Sequence, residues 1–217
     1  MIIDSKKYSG ACACGRNHSM ETNLAVIQAG CLSRLDDYLG QFGLQGPRTA
    51  IYDGNTYRAE GLIRPRADQE IVLDPENLHA DETAVEKVLS QLRGDIRLLV
   101  AFGSGTIHDI TRYCAHKRGI PFISCPTAAT VDGFCSTVAA VTWHGFKKTL
   151  PGVAPALVLA DLDVIRQAPA YLALSGVGDI LGKYTALADW KIASAVSGEF
   201  FCPRIESMTR SAVQEPR

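Results

Sequence analysis

Short β-branched runs alternate with stretches of helical spacing along most of the chain, and this alternation predicts the elements. Leu24 to Gln28, Arg48 to Tyr52, Glu70 to Leu73, Arg97 to Phe102, Pro121 to Cys125 and Ala156 to Ala160 read as strands, with Val138 to Trp143 as a further one. Apolar residues recur at helical spacing near Cys31 to Leu39, over Asp81 to Leu92 and over Thr106 to Lys117. Strands alternating with helices imply an α/β fold with a Rossmann-like, mostly parallel sheet and crossover helices. At Asp161 the pattern changes. Asp161-Leu-Asp163 reads as a helix start interrupted soon afterward by Pro169, and no strand follows. Ile180, Tyr184 and Leu187 share one face and Leu181, Ala188 and Ile192 the adjoining one, so Ser175 to Ala195 is expected to be a long, largely buried helix, with another over Ile205 to Val213. The chain therefore divides into residues 1–160, an α/β domain, and residues 161–217, the first helices of an all-helical domain.

A length of 217 residues accommodates one full domain and the beginning of another. Lys+Arg 22 against Asp+Glu 23 leaves a formal charge of -1 and no basic stripe, which argues against nucleic acid as a partner. The longest apolar stretches, such as Val153 to Ala160, are too short to span a bilayer, and the polar start from Met1 to Arg16 has no signal-peptide core. Neither membrane insertion nor secretion is expected, and the cytoplasm is the default location. Seven scattered cysteines fit reduced usage, with cysteine acting as a small hydrophobe. Cys12-Ala-Cys14-Gly-Arg-Asn-His18 offers soft metal ligands, but no second Cys/His pair at zinc-site spacing follows, so a tight turn is read there.

Chemistry concentrates in three segments. The strand ending at Phe102 runs into Gly103-Ser104-Gly105-Thr106-Ile107-His108-Asp109, which then becomes helical. Glycines at such a turn let the backbone approach a pyrophosphate, and the helix N-terminus supplies unpaired N–H groups. The third glycine of the common dinucleotide pattern is replaced by His108, and a purely structural turn fits the pattern equally. Asp109 fits either a helix cap or a carboxylate facing the nicotinamide side of a cofactor. Asp53-Gly54-Asn55-Thr56 reads as an Asx-type turn, with ribose binding as the functional alternative. The third segment, Cys125-Pro-Thr-Ala-Ala-Thr-Val-Asp132-Gly-Phe-Cys-Ser136, is a loop of small residues with one carboxylate.

In order and spacing, these segments followed by Ser175-Gly-Val-Gly178-Asp179 resemble the superfamily of glycerol dehydrogenase, iron-type alcohol dehydrogenases and dehydroquinate synthase. The Cys-x-Cys-Gly-Arg-x-His start, the Pro-Thr-Ala-Ala-Thr-Val-Asp-Gly loop, His144-Gly-Phe-Lys-Lys-Thr149 and Gly178-Asp179-Ile-Leu-Gly-Lys183-Tyr narrow the likeness to the sn-glycerol-1-phosphate dehydrogenases. The resemblance implies an NAD- or NADP-dependent, metal-dependent oxidoreductase that interconverts dihydroxyacetone phosphate and sn-glycerol 1-phosphate. It implies cofactor binding by Asp53, Gly105, Thr106, Ile107, His108, Asp109, Thr127, Ala128, Ala129, Thr130 and Ser136. It also implies substrate binding by Asp132 and a catalytic, metal-ligating and substrate-touching role for Asp179. The resemblance implies zinc, iron or nickel as the metal, and oxygen and imidazole ligation, which tolerates all three, does not choose among them.

Lys147 and Lys148 are read either as point charges for a substrate phosphate or as a solvated basic turn. The family completes its metal site with two histidines beyond the aspartate, whereas here no histidine follows Asp179. The chain thus resembles a C-terminally truncated member, and a homo-oligomer is expected of the complete protein. Truncation would leave an apolar face of the Ser175 to Ala195 helix exposed. The alternatives are a dehydrogenase of unphosphorylated glycerol or another polyol, and a short protein that binds nucleotide without dehydrogenase activity; a dehydroquinate synthase ranks third.

Overall fold

The computed structural model describes residues 1–214. In chain order the strands and helices are β1 Ile2–Asp4, β2 Gly10–Ala11, β3 Asn17–His18, β4 Leu24–Gln28, α1 Leu35–Gln41, β5 Arg48–Asp53, α2 Gly54–Arg58, β6 Gln69–Leu73, α3 Glu82–Gln91, β7 Leu98–Gly103 and α4 Gly105–Arg118. They continue with β8 Phe122–Pro126, β9 Val138–Trp143, β10 Phe146–Pro151, β11 Leu157–Asp161, α5 Leu162–Ile165, α6 Ala170–Ser197 and α7 Pro203–Gln214. Seven strands form one sheet in the order β1-β4-β11-β8-β7-β5-β6. Only β1 runs antiparallel to its neighbour.

Strand alternation sends side chains to two separate cores. Leu99 and Ala101 of β7 pack with Val85 and Val88 of α3 and Ile107 and Ile110 of α4. Leu98, Val100 and Phe102 pack on the other face with Leu35, Tyr38 and Leu39 of α1 and with Val164 of α5. Every residue of β7 is therefore buried, as a parallel strand covered on both faces requires.

The expected strands and helices form with their ends moved by a few residues, and three differences matter. The Cys31 to Leu39 segment opens as a 3-10 turn, Cys31–Arg34, before becoming α1. The Lys147 and Lys148 segment is strand β10 of a hairpin with β9, rather than a turn. The long helix begins at Ala170, five residues earlier than read, and of its side chains only Leu187 is buried. It is thus not the largely buried helix that its two apolar stripes predict. α7 packs along it, while Leu174, Val177, Leu181 and Ile192 are exposed. Among the described residues no helix is long and apolar enough to cross a membrane.

The junction after β11 is held by one carboxylate. Asp161, 2% exposed, caps α5 by accepting from Asp163 N–H at 2.9 Å, and also accepts from Gly30 N–H and Leu32 N–H at 2.9 Å each. It joins the end of the sheet to the 3-10 turn before α1. Asp161→Ala leaves three backbone donors unpaired and is expected to lower stability by about 2 kcal/mol in urea unfolding. Asp161→Asn should lose about half as much, because its amide group can replace only one of the two acceptor oxygens.

Candidate functional site

The direction of the chain reverses between β5 and β7: β5 connects outward to β6, whereas β7 connects to β8 on its other side. At such a switch point the loops leaving two adjacent carboxyl ends diverge and open a crevice. Asp53 ends β5 here, and Gly103 ends β7.

Gly103 makes the sharp entry into α4 feasible. A Cβ on it would lie 2.7 Å from Ile107 Cγ1, so only glycine lets the strand fold this closely onto the first helical turn. Gly103 O also accepts from Thr127 N–H at 3.1 Å, fixing the loop after β8 beside the turn. Ser104 is the N-cap of α4 but makes no side-chain capping bond, leaving the first N–H groups of the helix without that partner. By contrast, Asp53 caps α2: its Oδ1 accepts from Asn55 N–H and Thr56 N–H at 2.9 Å each, and its Oδ2 from Thr56 Oγ1 at 2.7 Å. The Asx-type reading of this segment therefore becomes a helix cap, with Oδ2 still able to accept a second donor.

Two cavities flank the turn and share Ser104, Thr106 and Leu172. One, of about 560 Å³, is lined by Asp53, Asn55, Ile107, Thr127 and Ala128. The other, of about 600 Å³, is lined by Gly105, His108, Asp109, Thr130, Asp132, Ser136 and Lys147. The fold thus brings the expected site residues to one edge of the sheet, except that Ala129 faces α6 and Asp179 sits on α6 itself. A Cβ on Gly176 would fall 2.0 Å from Ala129 O, so this glycine lets α6 cross directly over the loop. One turn later Asp179 Oδ2 accepts from Asp132 N–H at 2.8 Å, and Lys183 Nζ lies 2.9 Å from Asp132 Oδ2. The hydrogen bond from Lys183 to Asp132 raises the lysine pKa.

Three groups beneath the second cavity were not all legible in sequence. Arg112, 1% exposed, pairs with Asp109 at 2.5 Å and donates to Gly133 O and Phe134 O. Its position one turn after Asp109 was the available signal. Burial raises the Asp109 pKa despite the neighbouring guanidinium, and burial likewise lowers that of Arg112. His108 is buried edge-on against Phe134, with Nδ1 2.9 Å from Ser104 O. A carbonyl oxygen only accepts, so Nδ1 carries the proton, and Nε2 has no partner among the described residues. Thr130 Oγ1 is likewise buried and unpartnered. On β10, Lys147 and Thr149 line the cavity while Lys148 lies on the Glu82 side, as period-two alternation dictates; backbone hydrogen bonds to Glu82, including that from His144 N–H, lower its pKa, with a smaller contribution from Lys148.

Burial lowers the His108 pKa to about 3 in the folded protein, against about 6.5 unfolded. The unfolded chain then binds the extra proton between these values, so stability is full above pH 6.5 and falls with pH below it. The expected loss is about 2 kcal/mol between pH 7 and pH 5. His108→Gln should flatten that part of the profile, measured by urea unfolding across the range.

The region from residue 26 to residue 169 matches the family model described as iron-containing alcohol dehydrogenase. A relative from Bacillus licheniformis named glycerol-1-phosphate dehydrogenase [NAD(P)+] is 40% identical over 99% of this chain and 56% of its own length. One of the same name from Halalkalibacterium halodurans is 35% identical over 98% of this chain and 56% of its own length. This chain thus spans a little over half the length of these relatives. The crystal structure of glycerol dehydrogenase from Schizosaccharomyces pombe superposes with a TM-score of 0.60, at 21% identity, over 74% of this chain and 42% of that one. The likeness of fold extends to the mostly parallel sheet, and the matched region runs from β4 to the residue before α6. The chain belongs to the iron-containing alcohol dehydrogenase family.

Proposed function

We propose that this chain carries the NAD(P)-binding part of an oxidoreductase that interconverts dihydroxyacetone phosphate and sn-glycerol 1-phosphate. In this reading residues 1–160 bind the nucleotide, and residues 161–217 begin a helical unit that closes the cleft. The observation that carries it is the α4 N-terminus, uncapped by Ser104 and bordered by cavities on both sides, with Asp53 along one cavity and Asp132 along the other. The names of the B. licheniformis and H. halodurans relatives supply the reaction class.

The residues fit such a nucleotide. The free Oδ2 capacity of Asp53 accepts an adenosine ribose hydroxyl, and the N–H groups of Gly105, Thr106 and Ile107 receive the pyrophosphate. Asp109, held by Arg112, lies toward the nicotinamide side, where buried Thr130 Oγ1 awaits a partner. Thr127, Ala128 and Ser136 line the path, and Ala129 fixes the loop against α6. NAD(P), when bound, supplies the hydride exchanged with the carbinol carbon. Asp132, oriented by Lys183, holds a substrate hydroxyl, and Lys147 offers a point charge to its phosphate.

The family's metal calls for more than this site provides. Catalytic sites of the zinc type normally use three protein ligands, and the described residues gather no such set around Asp179. Asp179 instead positions Asp132 through its backbone N–H and contacts the substrate.

The test is a coupled assay of the protein carrying this chain. NADH or NADPH oxidation should be faster with dihydroxyacetone phosphate than with dihydroxyacetone, and Lys147→Ala should raise KM for the phosphorylated substrate only. Asp179→Ala should abolish turnover while nucleotide binding persists. Equal or faster turnover of dihydroxyacetone would instead favour a dehydrogenase of free polyols.

A further inference from the structure

Far along the chain from the nucleotide site, the fold assembles four soft donors. Cys12 and Cys14 follow β2, and His18 ends β3, in a hairpin turned by Gly15 at φ +83°. Cys12 N–H donates to Arg16 O and Gly15 N–H to Cys12 O, both at 3.0 Å, which curls the segment so that both thiols face the same point as the imidazole. Cys202, 1% exposed, arrives from the turn between α6 and α7. Cys12 Sγ lies 3.8 Å from Cys202 Sγ, Cys14 Sγ 3.3 Å from His18 Nε2, and Cys202 Sγ 3.4 Å from the same nitrogen. All four ligand atoms fall within 4.8 Å of one another. The reading of this motif as a mere tight turn is corrected by Cys202, a partner 190 residues away that no local spacing could reveal.

The geometry points to a structural zinc site with Cys12, Cys14, His18 and Cys202 as its four ligands. Zn–S bonds of about 2.3 Å and Zn–N bonds of about 2.0–2.1 Å at tetrahedral angles put sulfurs about 3.8 Å apart and sulfur about 3.6 Å from nitrogen. The Cys12–Cys202 separation of 3.8 Å matches that cage, and the Cys14–His18 and Cys202–His18 separations of 3.3 and 3.4 Å come close to it. Three sulfurs and one imidazole suit zinc, and four protein ligands leave no open position for catalysis. The hairpin also needs a staple: its strands have two residues each, too few to hold a sheet in water. Arg16 adds to the same contact, with its guanidinium carbon 3.4 Å from the Phe200 ring centroid, while Trp190 Nε1 donates to Phe200 O at 2.7 Å. Three thiolates and a neutral imidazole around Zn²⁺ carry a net charge of −1, and the adjacent Arg16 offsets it. The site would tie the N-terminal hairpin to the helix that carries Asp179.

The test is metal analysis of the full chain, purified with reduced thiols and reconstituted with zinc, then dialysed. One equivalent of tightly held zinc is expected, retained in Asp179→Ala and lost in Cys202→Ser, with His18→Cys keeping it through four thiolates. Cobalt in place of zinc should give the intense visible bands of tetrahedral coordination and a thiolate charge-transfer band, a readout that does not depend on how well Cys202→Ser folds. Any of three metal-binding results would overturn the assignment: no zinc retained, cobalt without thiolate charge transfer, or zinc kept by folded Cys202→Ser. A Cys12–Cys202 disulfide in freshly isolated protein, seen by mass, would also overturn it in favour of a covalent staple.

Discussion

The contact between Gly103 and Ile107 is the constraint from which the rest of the site follows. β7 is buried on both faces and can end only where its backbone turns straight into α4, and the absent Cβ at 103 allows that turn. The helix dipole then points its positive end at the mouth of the crevice, without a side chain to cap it. The same turn receives the Thr127 N–H and so places the loop after β8. Moving this turn would displace both cavities together, because each is lined by Ser104 and Thr106.

A second close approach builds the other wall. Gly176 lets α6 lie on Ala129 O, which brings Asp179 to the Asp132 N–H and Lys183 to its carboxylate. Two positions without side chains thus set the spacing between the sheet edge and the helix above it. The charge arrangement is economical: Asp109 and Asp132, the two carboxylates that face the second cavity, are each held by one cation, Arg112 and Lys183. Cleft geometry and cleft electrostatics rest on the same loop.

Periodicity made the sheet legible because its central strands β7, β8 and β11 are buried on both faces, and β7 and β8 run into Gly103 and Pro126, which mark where they end. β10 escaped because Lys147 and Lys148 look like a basic turn; a hairpin exposed on one face tolerates lysines that a central strand would not. The exposure of α6 could not be read from its apolar stripes, since a stripe states what a helix can bury and not whether a neighbour is present. Asp53, Gly105 to Asp109 and Asp132 were visible because each follows a strand at the carboxyl edge. Arg112 and Cys202 were not, since their roles depend on what the fold delivers to them: the Gly133 and Phe134 carbonyls to one, the Cys12 and His18 side chains to the other.

The central claim is that a dinucleotide lies across the α4 N-terminus, and amide hydrogen exchange of this chain with and without NADH or NADPH tests it most directly. Bound nucleotide should slow exchange in residues 53–56, 103–109 and 127–136 together, with little change in the β9–β10 hairpin tip or in α7. Saturating nucleotide that leaves 103–109 as exposed as before, or protects only a distant segment, would contradict the account.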